Sequence, residues 1–264
     1  MDIKEIIACK KKFVIGMVHC LALPGSAGFA GDCNKILNQA VQDAVTLEKA
    51  GVDAIIVENM GDDPFAALLE TPQIAALSAA TALVKKAVKI PVGVDAAFND
   101  CVASLSIAKV SDCDFVRIPV FVDSVEFYDG FITPCARLCM LTRKSLDAKN
   151  IMILADVQVK HTNMVLPQVT IESSAKSAAS CGADAIIVTG SAVGVETPLE
   201  MIQRVKKVVN LPVIAGSGVN AHNINEQLNI ADGAIIGSSL KKDGVLTNPI
   251  SYDLVREVLK ELKK

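Results

Sequence analysis

The chain has 264 residues, of which 51% are hydrophobic, and it carries 26 Lys and Arg against 29 Asp and Glu. This hydrophobic content excludes a disordered chain, and a net charge of −3 leaves no basic surplus for generic nucleic-acid binding. Aromatic residues make up only 4%, whereas Ala, Val and Ile are plentiful, which favours buried parallel strands packed between helices. The composition therefore predicts an α/β fold.

Residues 10–31 begin with three lysines and continue uncharged, as a secretory signal peptide does. His19 and Pro24 interrupt the apolar run, and no other segment approaches the roughly 18–20 apolar residues of a membrane helix. We expect a cytoplasmic protein with no membrane partner and no nucleic-acid partner.

Eight cysteines are scattered along the chain, which is the pattern of reduced thiols in a large cytosolic protein. Cys135 and Cys139 are four residues apart, as on one helix face, but no second pair and no nearby His completes a metal set. We interpret them as small buried hydrophobic side chains.

Short apolar, β-branched runs recur with helical segments between them. At about 33 residues per unit, this alternation predicts eight strands joined by crossover helices and paired in parallel. The predicted strands are Phe13–Val18, Ala54–Val57, Val92–Val94, Phe115–Ile118, Ile151–Leu154, Ala185–Val188, Val213–Ala215 and Ala234–Ile236.

Two local patterns repeat along the chain. Cys181-Gly182-Ala183-Asp184-Ala185 matches Ala50-Gly51-Val52-Asp53-Ala54, and Leu211-Pro212-Val213 matches Ile90-Pro91-Val92. A Gly that ends a helix and a Pro that opens a strand are common punctuation in α/β chains, so the repeats indicate recurrent βα units. No linker divides the chain, and we predict one domain over residues 1–264.

Eight βα units in this length fit a (β/α)8 TIM barrel better than an open sheet. A dinucleotide-binding fold requires a Gly-x-Gly-x-x-Gly turn after the first strand, and Leu23-Pro24-Gly25-Ser26-Ala27-Gly28 lacks that spacing. In a TIM barrel the active site lies at the carboxyl ends of the strands, so each strand end can be inspected for chemistry.

Polar or ionisable residues follow six successive predicted strands. Because strand ends converge in a barrel, six polar ends in a row indicate a site rather than separate caps. We assign His19, Glu58, Asp156 and Lys160 as catalytic candidates, and Asn59, Asp95, Arg117, His161, Thr189 and Gly190 as substrate-binding candidates.

The seventh and eighth strands are followed by Gly216-Ser217-Gly218 and Gly237-Ser238. Glycines let backbone N–H groups approach an anion, and phosphate sites recur after these two strands of TIM barrels. Each Gly-Ser pair could also be a simple tight turn. Their joint occurrence favours a phosphate site at Gly216, Ser217, Gly218, Gly237 and Ser238.

Several roles stay open at this point. Glu58, Asp95 and Asp156 could bind a divalent cation together, or the carboxylates could pair with Arg117 or Lys160. Lys160 could hold a substrate anion, form a Schiff base or be a solvated loop lysine. Asp62-Asp63-Pro64-Phe65 predicts a turn that carries Phe65 over the barrel mouth, in the manner of a lid.

The motifs together resemble the BtpA family, which includes the SgcQ-like proteins. The resemblance covers residues 14–245 and implies the same barrel. It rests on Gly16-Met17-Val18-His19, Leu23-Pro24-Gly25-Ser26, Gly51-Val52-Asp53-Ala54, Val57-Glu58-Asn59-Met60-Gly61-Asp62, Asp114-Phe115-Val116-Arg117, Asp156-Val157-Gln158-Val159-Lys160-His161, Ala183-Asp184-Ala185-Ile186-Ile187-Val188-Thr189-Gly190, Gly216-Ser217-Gly218-Val219 and Ser239-Leu240-Lys241-Lys242-Asp243-Gly244.

The chain departs from the family pattern at Pro119-Val120-Phe121-Val122-Asp123, where a more polar segment is usual, so we expect a less polar pocket there. The resemblance brings no defined reaction. One branch is named for photosystem I biogenesis, other members are associated with sugar utilisation, and the nucleoside triphosphatase label has no support because the phosphate-binding Gly-x-x-x-x-Gly-Lys-Ser/Thr loop is missing.

We therefore predict an enzyme that acts on a small phosphorylated metabolite, either a sugar phosphate or a nucleoside-derived phosphate, by lyase, isomerase or hydrolase chemistry. The alternative is a non-enzymatic assembly or regulatory factor whose charged rim serves a protein partner. The Ala-rich helix over residues 74–84 would suit a subunit interface in a homo-oligomer.

Overall fold

The computed structural model describes residues 3–9, 12–192 and 194–262. The helices are α1 (Ile3–Cys9), α2 (Cys33–Ala50), α3 (Thr71–Ala87), α4 (Cys101–Val110), α5 (Ala136–Ser145), α6 (Ile171–Ser180), α7 (Leu199–Lys206), α8 (Ile224–Leu228) and α9 (Tyr252–Leu262). The strands are β1 (Phe13–His19), β2 (Ala54–Glu58), β3 (Val92–Asp95), β4 (Phe115–Ile118), β5 (Val125–Phe127), β6 (Gly130–Ile132), β7 (Met152–Val157), β8 (Asn163–Met164), β9 (Ala185–Val188), β10 (Val213–Ala215) and β11 (Gly233–Ile236).

Eight parallel strands close into a barrel in the order β1-β2-β3-β4-β7-β9-β10-β11, and β11 pairs again with β1. The predicted (β/α)8 barrel and its eight strands are confirmed. Strands β1, β2, β3 and β7 run further than predicted. His19, Glu58, Asp95 and Asp156 therefore lie inside the strands rather than after them, because an inward-pointing polar side chain does not disturb the backbone ladder.

Aspartates fasten the amino-terminal ends of the strands. The Asp53 carboxylate accepts a hydrogen bond from the Val14 amide at 2.9 Å, so the residue before β2 holds the start of β1. The repeated Gly-x-Asp motif has the same role later, where Asp184 accepts from the Ile153 amide at 2.8 Å. Gly51, which ends α2, has φ +99°, a value that glycine adopts without steric cost. The sequence repeats thus mark a structural device and not a site.

The barrel interior is filled by alternate residues of the strands. Phe13 and Phe115 are fully buried, each beside a glycine of the neighbouring strand, Gly233 and Gly93. A Cβ atom on either glycine would lie 2.3 Å from the facing ring, so the large and small positions are interdependent. Helix α1 packs Ile3 and Ile6 into the same cluster at the amino-terminal end of the barrel. The helices of the described ranges include none long and apolar enough to cross a membrane.

Strands β5, β6 and β8 form a small antiparallel sheet that was not predicted from the sequence. Val125, Phe127 and Ile132 of this sheet pack with Phe98 and Val120 in an apolar cluster, which we call the mouth cluster. The strands are only two or three residues long, so they have no readable period of their own. They emerge from the loops after β4 and β7, at the carboxyl face of the barrel.

A buried ion pair joins the last loop to the first long helix. Lys241 is fully buried, and its Nζ donates to Asp43 Oδ2 of α2 at 2.9 Å. The other carboxylate oxygen accepts from the Ile250 amide at 2.8 Å. The pair therefore holds the segment after β11 against α2 at the point where the barrel closes.

Replacing Lys241 by Met should reduce the free energy of unfolding by about 3–5 kcal/mol, because Asp43 is left as an unpaired buried charge. The double variant Asp43→Asn/Lys241→Met should be more stable than Lys241→Met alone, since the Asn oxygen can still accept from the Ile250 amide. Urea unfolding at pH 7 measures both. Equal stability of the single and double variants would contradict this account.

Candidate functional site

Five consecutive barrel strands each place one ionisable side chain in the top interior layer. Side-chain alternation along β1 turns Phe13, Ile15 and Met17 inward and then His19. The register pairs His19 with Glu58 and Glu58 with Asp95 on neighbouring strands. Arg117 and Asp156 continue the layer on the next two strands. The predicted convergence of these five residues is what the structure shows.

Arg117 and Asp156 form a bidentate ion pair inside the barrel. Nε donates to Asp156 Oδ1 at 2.9 Å and Nη2 to Oδ2 at 2.8 Å. Burial alone would lower the pKa of Arg117, but Asp156 and Asp95 raise it, so the guanidinium stays charged. Asp156 is fully buried, lies off the cavity wall and holds Arg117 in place, and its catalytic role stays a prediction.

The carboxyl groups of Asp95 and Glu58 are buried with few polar partners to offset the cost of burial. Neither oxygen of Asp95 has a hydrogen-bond partner among the described residues, and its nearest cation is Arg117 Nη1, 3.7 Å from Oδ2. Burial and the neighbouring Glu58 raise the pKa of Asp95 well above its ordinary value. Burial also raises the pKa of Glu58, opposed by Arg117 and Lys160. Two adjacent carboxyls with raised pKa values are suited to acid and base steps.

His19 is a neutral imidazole in this layer. Its Nε2 lies 3.5 Å from Glu58 Oε2, and its Nδ1 has no partner in the described part of the chain. Burial, reinforced by Lys241, Lys160 and Arg117, lowers the pKa of His19 to about 3. The ring is buttressed by Gly237, where a Cβ would lie 2.6 Å from Cε1. His19 therefore faces Glu58 uncharged at physiological pH.

Lys160 reaches the cavity from the loop after β7. The backbone is fixed, because the Lys160 amide donates to Thr189 Oγ1 at 3.0 Å and the Gln158 amide to Asp123 Oδ2 at 2.8 Å. Burial, followed by Arg117, lowers the pKa of Lys160, while the nearby carboxylates oppose that change. Thr189 was predicted to bind substrate, but its hydroxyl is used to position this loop, and it lies off the cavity wall.

The other half of the layer is lined by small residues. The cavity is about 770 Å³ including its opening to solvent. Its wall on this side consists of Gly194, Gly216, Ser217, Gly218, Gly237, Ser238 and Ser239. The sequence analysis considered Thr189 and Gly190 after this strand and did not include Gly194, which lies four residues beyond Gly190. Because the side chains on this wall are small, the cavity has open space opposite the strands that carry the ionisable side chains.

The small residues on this wall do not all face a ligand. The Ser217 hydroxyl accepts from the Gly190 amide at 2.6 Å and donates to Val195 O at 2.9 Å, so it is already engaged. Gly190 lies off the cavity wall, and a Cβ on Gly218 would meet the Glu196 backbone at 2.3 Å. In contrast, the Ser238 hydroxyl has no hydrogen-bond partner among residues 3–9, 12–192 and 194–262. Ser238 is therefore the free polar side chain of the predicted phosphate set.

Aromatic side chains cover the cavity. Phe98 stacks on Phe127 with ring centroids 4.4 Å apart, and Phe65 lies 6.4 Å from Phe98. Phe65 lines the cavity, as the predicted position over the mouth requires, and its amide donates to the Tyr128 hydroxyl. Pro119 also lines the cavity and makes this wall apolar, as expected from the departure at residues 119–123. His161 is exposed at the rim.

Asn59 does not reach the cavity. Its side chain accepts from the Ala97 amide at 2.8 Å and donates to Ala97 O and to Asp62 Oδ2. It is fully buried and links the loop after β2 to the loop after β3. Asn59 thus has a structural role, since an amide has the donors and acceptor to satisfy two backbone groups at once, and its substrate-binding role stays a prediction.

Glu58, Asp95 and Asp156, considered above as joint ligands of a divalent cation, are not grouped as a metal site in the described part of the chain. Both oxygens of Asp156 are taken by Arg117, which lies between the carboxylates. Across the described ranges, no group of three or more His, Cys, Asp or Glu side chains is arranged to hold a metal ion. Cys135 and Cys139 are buried, as predicted, and Cys101 joins them.

The substitution Asp95→Asn should stabilise the protein at pH 8 by about 0.5–2 kcal/mol, a common gain when an unfavourable functional group is removed. The folded protein holds the Asp95 proton more tightly than the unfolded chain does, so wild-type stability falls as pH rises above the ordinary Asp pKa. The gain should shrink at pH 4, where the unfolded carboxyl also binds protons. Urea unfolding at the two pH values tests this, and an equal or larger gain at pH 4 would contradict it.

Comparison with known proteins agrees with this architecture. The BtpA family model matches residues 10–264. Among solved structures, (S)-3-O-geranylgeranylglyceryl phosphate synthase from Thermoplasma acidophilum, bound to its substrate sn-glycerol-1-phosphate, superposes with a TM-score of 0.63 at 17% identity over 100% of this chain and 99% of that one. Tryptophan synthase from Mycobacterium tuberculosis gives a TM-score of 0.65 at 16% identity, covering 98% and 96%. These similarities show the fold.

Relatives in sequence span nearly the whole chain. An uncharacterised protein of Pyrococcus abyssi is 39% identical over 96% of both chains, and one of Pyrococcus furiosus is 40% identical over 92% of both. The photosystem I biogenesis protein BtpA of Synechocystis is 35% identical, covering 90% of this chain and 83% of its own. The chain belongs to the BtpA family.

Proposed function

We propose that this protein is an enzyme that acts on a small phosphorylated metabolite by acid and base chemistry at the carboxyl face of the barrel. One observation carries the proposal: Glu58 and Asp95 are buried side by side at the cavity floor, and no hydrogen bond compensates Asp95. A buried carboxyl without a partner is costly to keep, and such groups concentrate at functional sites. The proposed substrate is a sugar phosphate or a nucleoside-derived phosphate.

The small-residue wall supports a phosphate group as the substrate's other end. Gly194, Gly237 and Ser238 line the cavity, a Cβ on Gly194 would meet only the Ser238 hydroxyl at 3.7 Å, and that hydroxyl is free to donate. The synthase of the same fold binds sn-glycerol-1-phosphate, which supports a phosphorylated substrate by analogy of fold. We therefore assign Gly237 and Ser238 as phosphate-binding residues, with Gly194 added and with Gly216, Ser217 and Gly218 shaping the loop behind them.

The acid and base roles follow from protonation. Glu58 and Asp95 both have raised pKa values, so one can donate a proton while its neighbour accepts one. Arg117 stays charged and can neutralise a developing oxyanion. Neutral His19 lies beside Glu58, with its Nε2 3.5 Å from Oε2. Isomerisation, lyase chemistry and hydrolysis all use this set of groups.

A second candidate function comes from the Synechocystis relative, whose name describes biogenesis of photosystem I. In that case the barrel would serve as an assembly or regulatory factor with a protein partner. The compartment we propose is the cytoplasm, because the cysteines of the described residues are unpaired thiols, as in reducing compartments. A homo-oligomer remains our expectation for α3, which leaves Leu83 exposed.

The phosphate site is tested by Ser238→Asp with Ser238→Asn as its matched control. A sugar phosphate at about 100 times its dissociation constant should raise the melting temperature by about 5–10 °C in the wild type. The Asp variant should lose the shift through charge repulsion, whereas the Asn variant, of equal size, should retain most of it. Equal shifts in both variants would place the phosphate elsewhere.

Substitution of Glu58 distinguishes an enzyme from an assembly factor. For an enzyme, Glu58→Gln should lower turnover of the stabilising compound by about 100-fold or more, because the side chain keeps its shape but cannot transfer a proton. An assembly factor would tolerate this change. Turnover at unchanged rate in Glu58→Gln would remove Glu58 from the chemistry.

A further inference from the structure

We propose that the Lys160 amine is a nucleophile that forms an imine with the carbonyl carbon of the substrate, which makes the substrate a phosphorylated aldehyde or ketone. The inference rests on the proposed function, since it assumes that the phosphate lies on the small-residue wall. It narrows the substrate class and assigns the covalent step to one atom, Lys160 Nζ.

The first support is that the Lys160 amine is left without a partner. In the described ranges its Nζ has no hydrogen bond and no ion pair, although it lines the cavity and is half-buried. Other lysines that approach the core are paired, as Lys241 is with Asp43 at 2.9 Å and Lys85 with Asp114 at 2.5 Å. Lys160 is therefore held close to carboxylates without being tied to one.

The second support is that the backbone beneath Lys160 is rigid. Thr189 Oγ1 accepts from the Lys160 amide, and Gln158 is fixed at both its amide and its side chain. Gln158 has φ +48°, an unusual value for a residue with a side chain, which aims the following segment across the barrel mouth. A fixed attachment is what a nucleophile needs to meet a bound carbon reproducibly.

The surroundings of Lys160 argue against phosphate binding as its role. Glu58, Asp95 and Asp156 are the acidic groups that act on it, and Arg117 is the basic one. The one cation beside Nζ, Arg117, is already paired with Asp156 and is not free to hold a phosphate dianion there. An uncharged carbonyl group needs no second cation. Burial and Arg117 also lower the pKa of Lys160, which increases the fraction of free amine.

The two neighbouring carboxyls, Glu58 and Asp95, donate and remove the protons in the imine step. The Nζ lone pair attacks the carbonyl carbon, the π electrons move to oxygen, and that oxygen takes a proton from Glu58 or Asp95 in its protonated form. The carboxylate so formed removes a proton from nitrogen, which gives a neutral carbinolamine. The carboxyl, protonated again by that step, gives its proton to the hydroxyl, water leaves, and the nitrogen lone pair forms the C=N bond of a protonated imine beside the resulting carboxylate. No oxidant or reductant is required.

The mouth cluster shields this step. Phe65 and Phe98 line the cavity near its opening, and Val159, next to Lys160, is buried in the same cluster. An apolar cover limits the access of bulk water, and water would return the imine to amine and carbonyl. Pro119, which follows Arg117 by two residues, belongs to the segment that is less polar than the family pattern. It also lines the cavity and adds to that cover.

Trapping with borohydride tests the proposal on the full-length protein. Dihydroxyacetone phosphate, glyceraldehyde 3-phosphate and ribose 5-phosphate are incubated with the protein and sodium borohydride, with dihydroxyacetone and ribose as unphosphorylated controls. We expect about one adduct per chain, with the mass of one probe minus one oxygen atom, located at Lys160 by peptide mapping. Lys160→Arg keeps the positive charge but cannot form the imine, so it should abolish the adduct.

Melting-temperature shifts with the same probes separate the two proposals. If a phosphorylated probe stabilises the wild type and Lys160→Arg, if Ser238→Asp abolishes that shift, and if only the wild type is trapped at residue 160, both proposals stand. If the probe stabilises the protein but no adduct forms at Lys160, or labelling is equal at Lys160 and at surface lysines, the imine is overturned and the phosphate site stands. If no probe shifts the melting temperature, the proposed function fails and the imine fails with it.

Discussion

The ion pair between Arg117 and Asp156 sets the charge state of the whole upper barrel. One guanidinium satisfies one carboxylate with two hydrogen bonds, and both groups are buried. Glu58 and Asp95 lie in the same layer and have no such bidentate partner, so burial raises their pKa values against the opposing effect of Arg117. His19 and Lys160 shift in the opposite direction, because burial and Arg117 both disfavour further positive charge. Around the bidentate pair, the pKa values of the neighbouring acids are thus raised and those of the neighbouring bases are lowered.

Side-chain size divides the barrel interior as clearly as charge does. In the lower layers Phe13 and Phe115 fill the space that Gly233 and Gly93 leave on adjacent strands. In the top layer Gly216 and Gly237, which follow β10 and β11, line the cavity. The chain can therefore pack a dense core and still keep an opening at one end, because the difference lies in single inward positions on the same strands.

The barrel could be predicted because it depends on local patterns: apolar runs, their spacing and the turns between them. The inward layer could be predicted too, since His19, Glu58 and Arg117 follow from side-chain alternation once the strands are placed. The hydrogen-bond and ion-pair partners of these side chains could not be predicted. Asp156 and Asp95 look alike in sequence, yet only Asp156 receives the bidentate contact, and Asn59 and Ser217 are engaged by backbone groups from distant loops. Those assignments depend on loop paths with no periodic signal, as do the mouth cluster and the pairing of Lys241 with Asp43.

The pattern of paired and unpaired groups bears on whether the barrel is catalytic. Where the fold requires a buried ion, as at Asp43, both carboxylate oxygens are matched with donors. The same chain could have matched Asp95 or replaced it with an apolar residue of similar size, which generally stabilises a core. Asp95 instead stays buried without a hydrogen bond beside a raised-pKa Glu58 and an unpaired Lys160. A surface that only docks a partner protein gains nothing from groups hidden beneath an aromatic cover. The position of these unpaired groups at the cavity floor therefore favours chemistry on a small molecule.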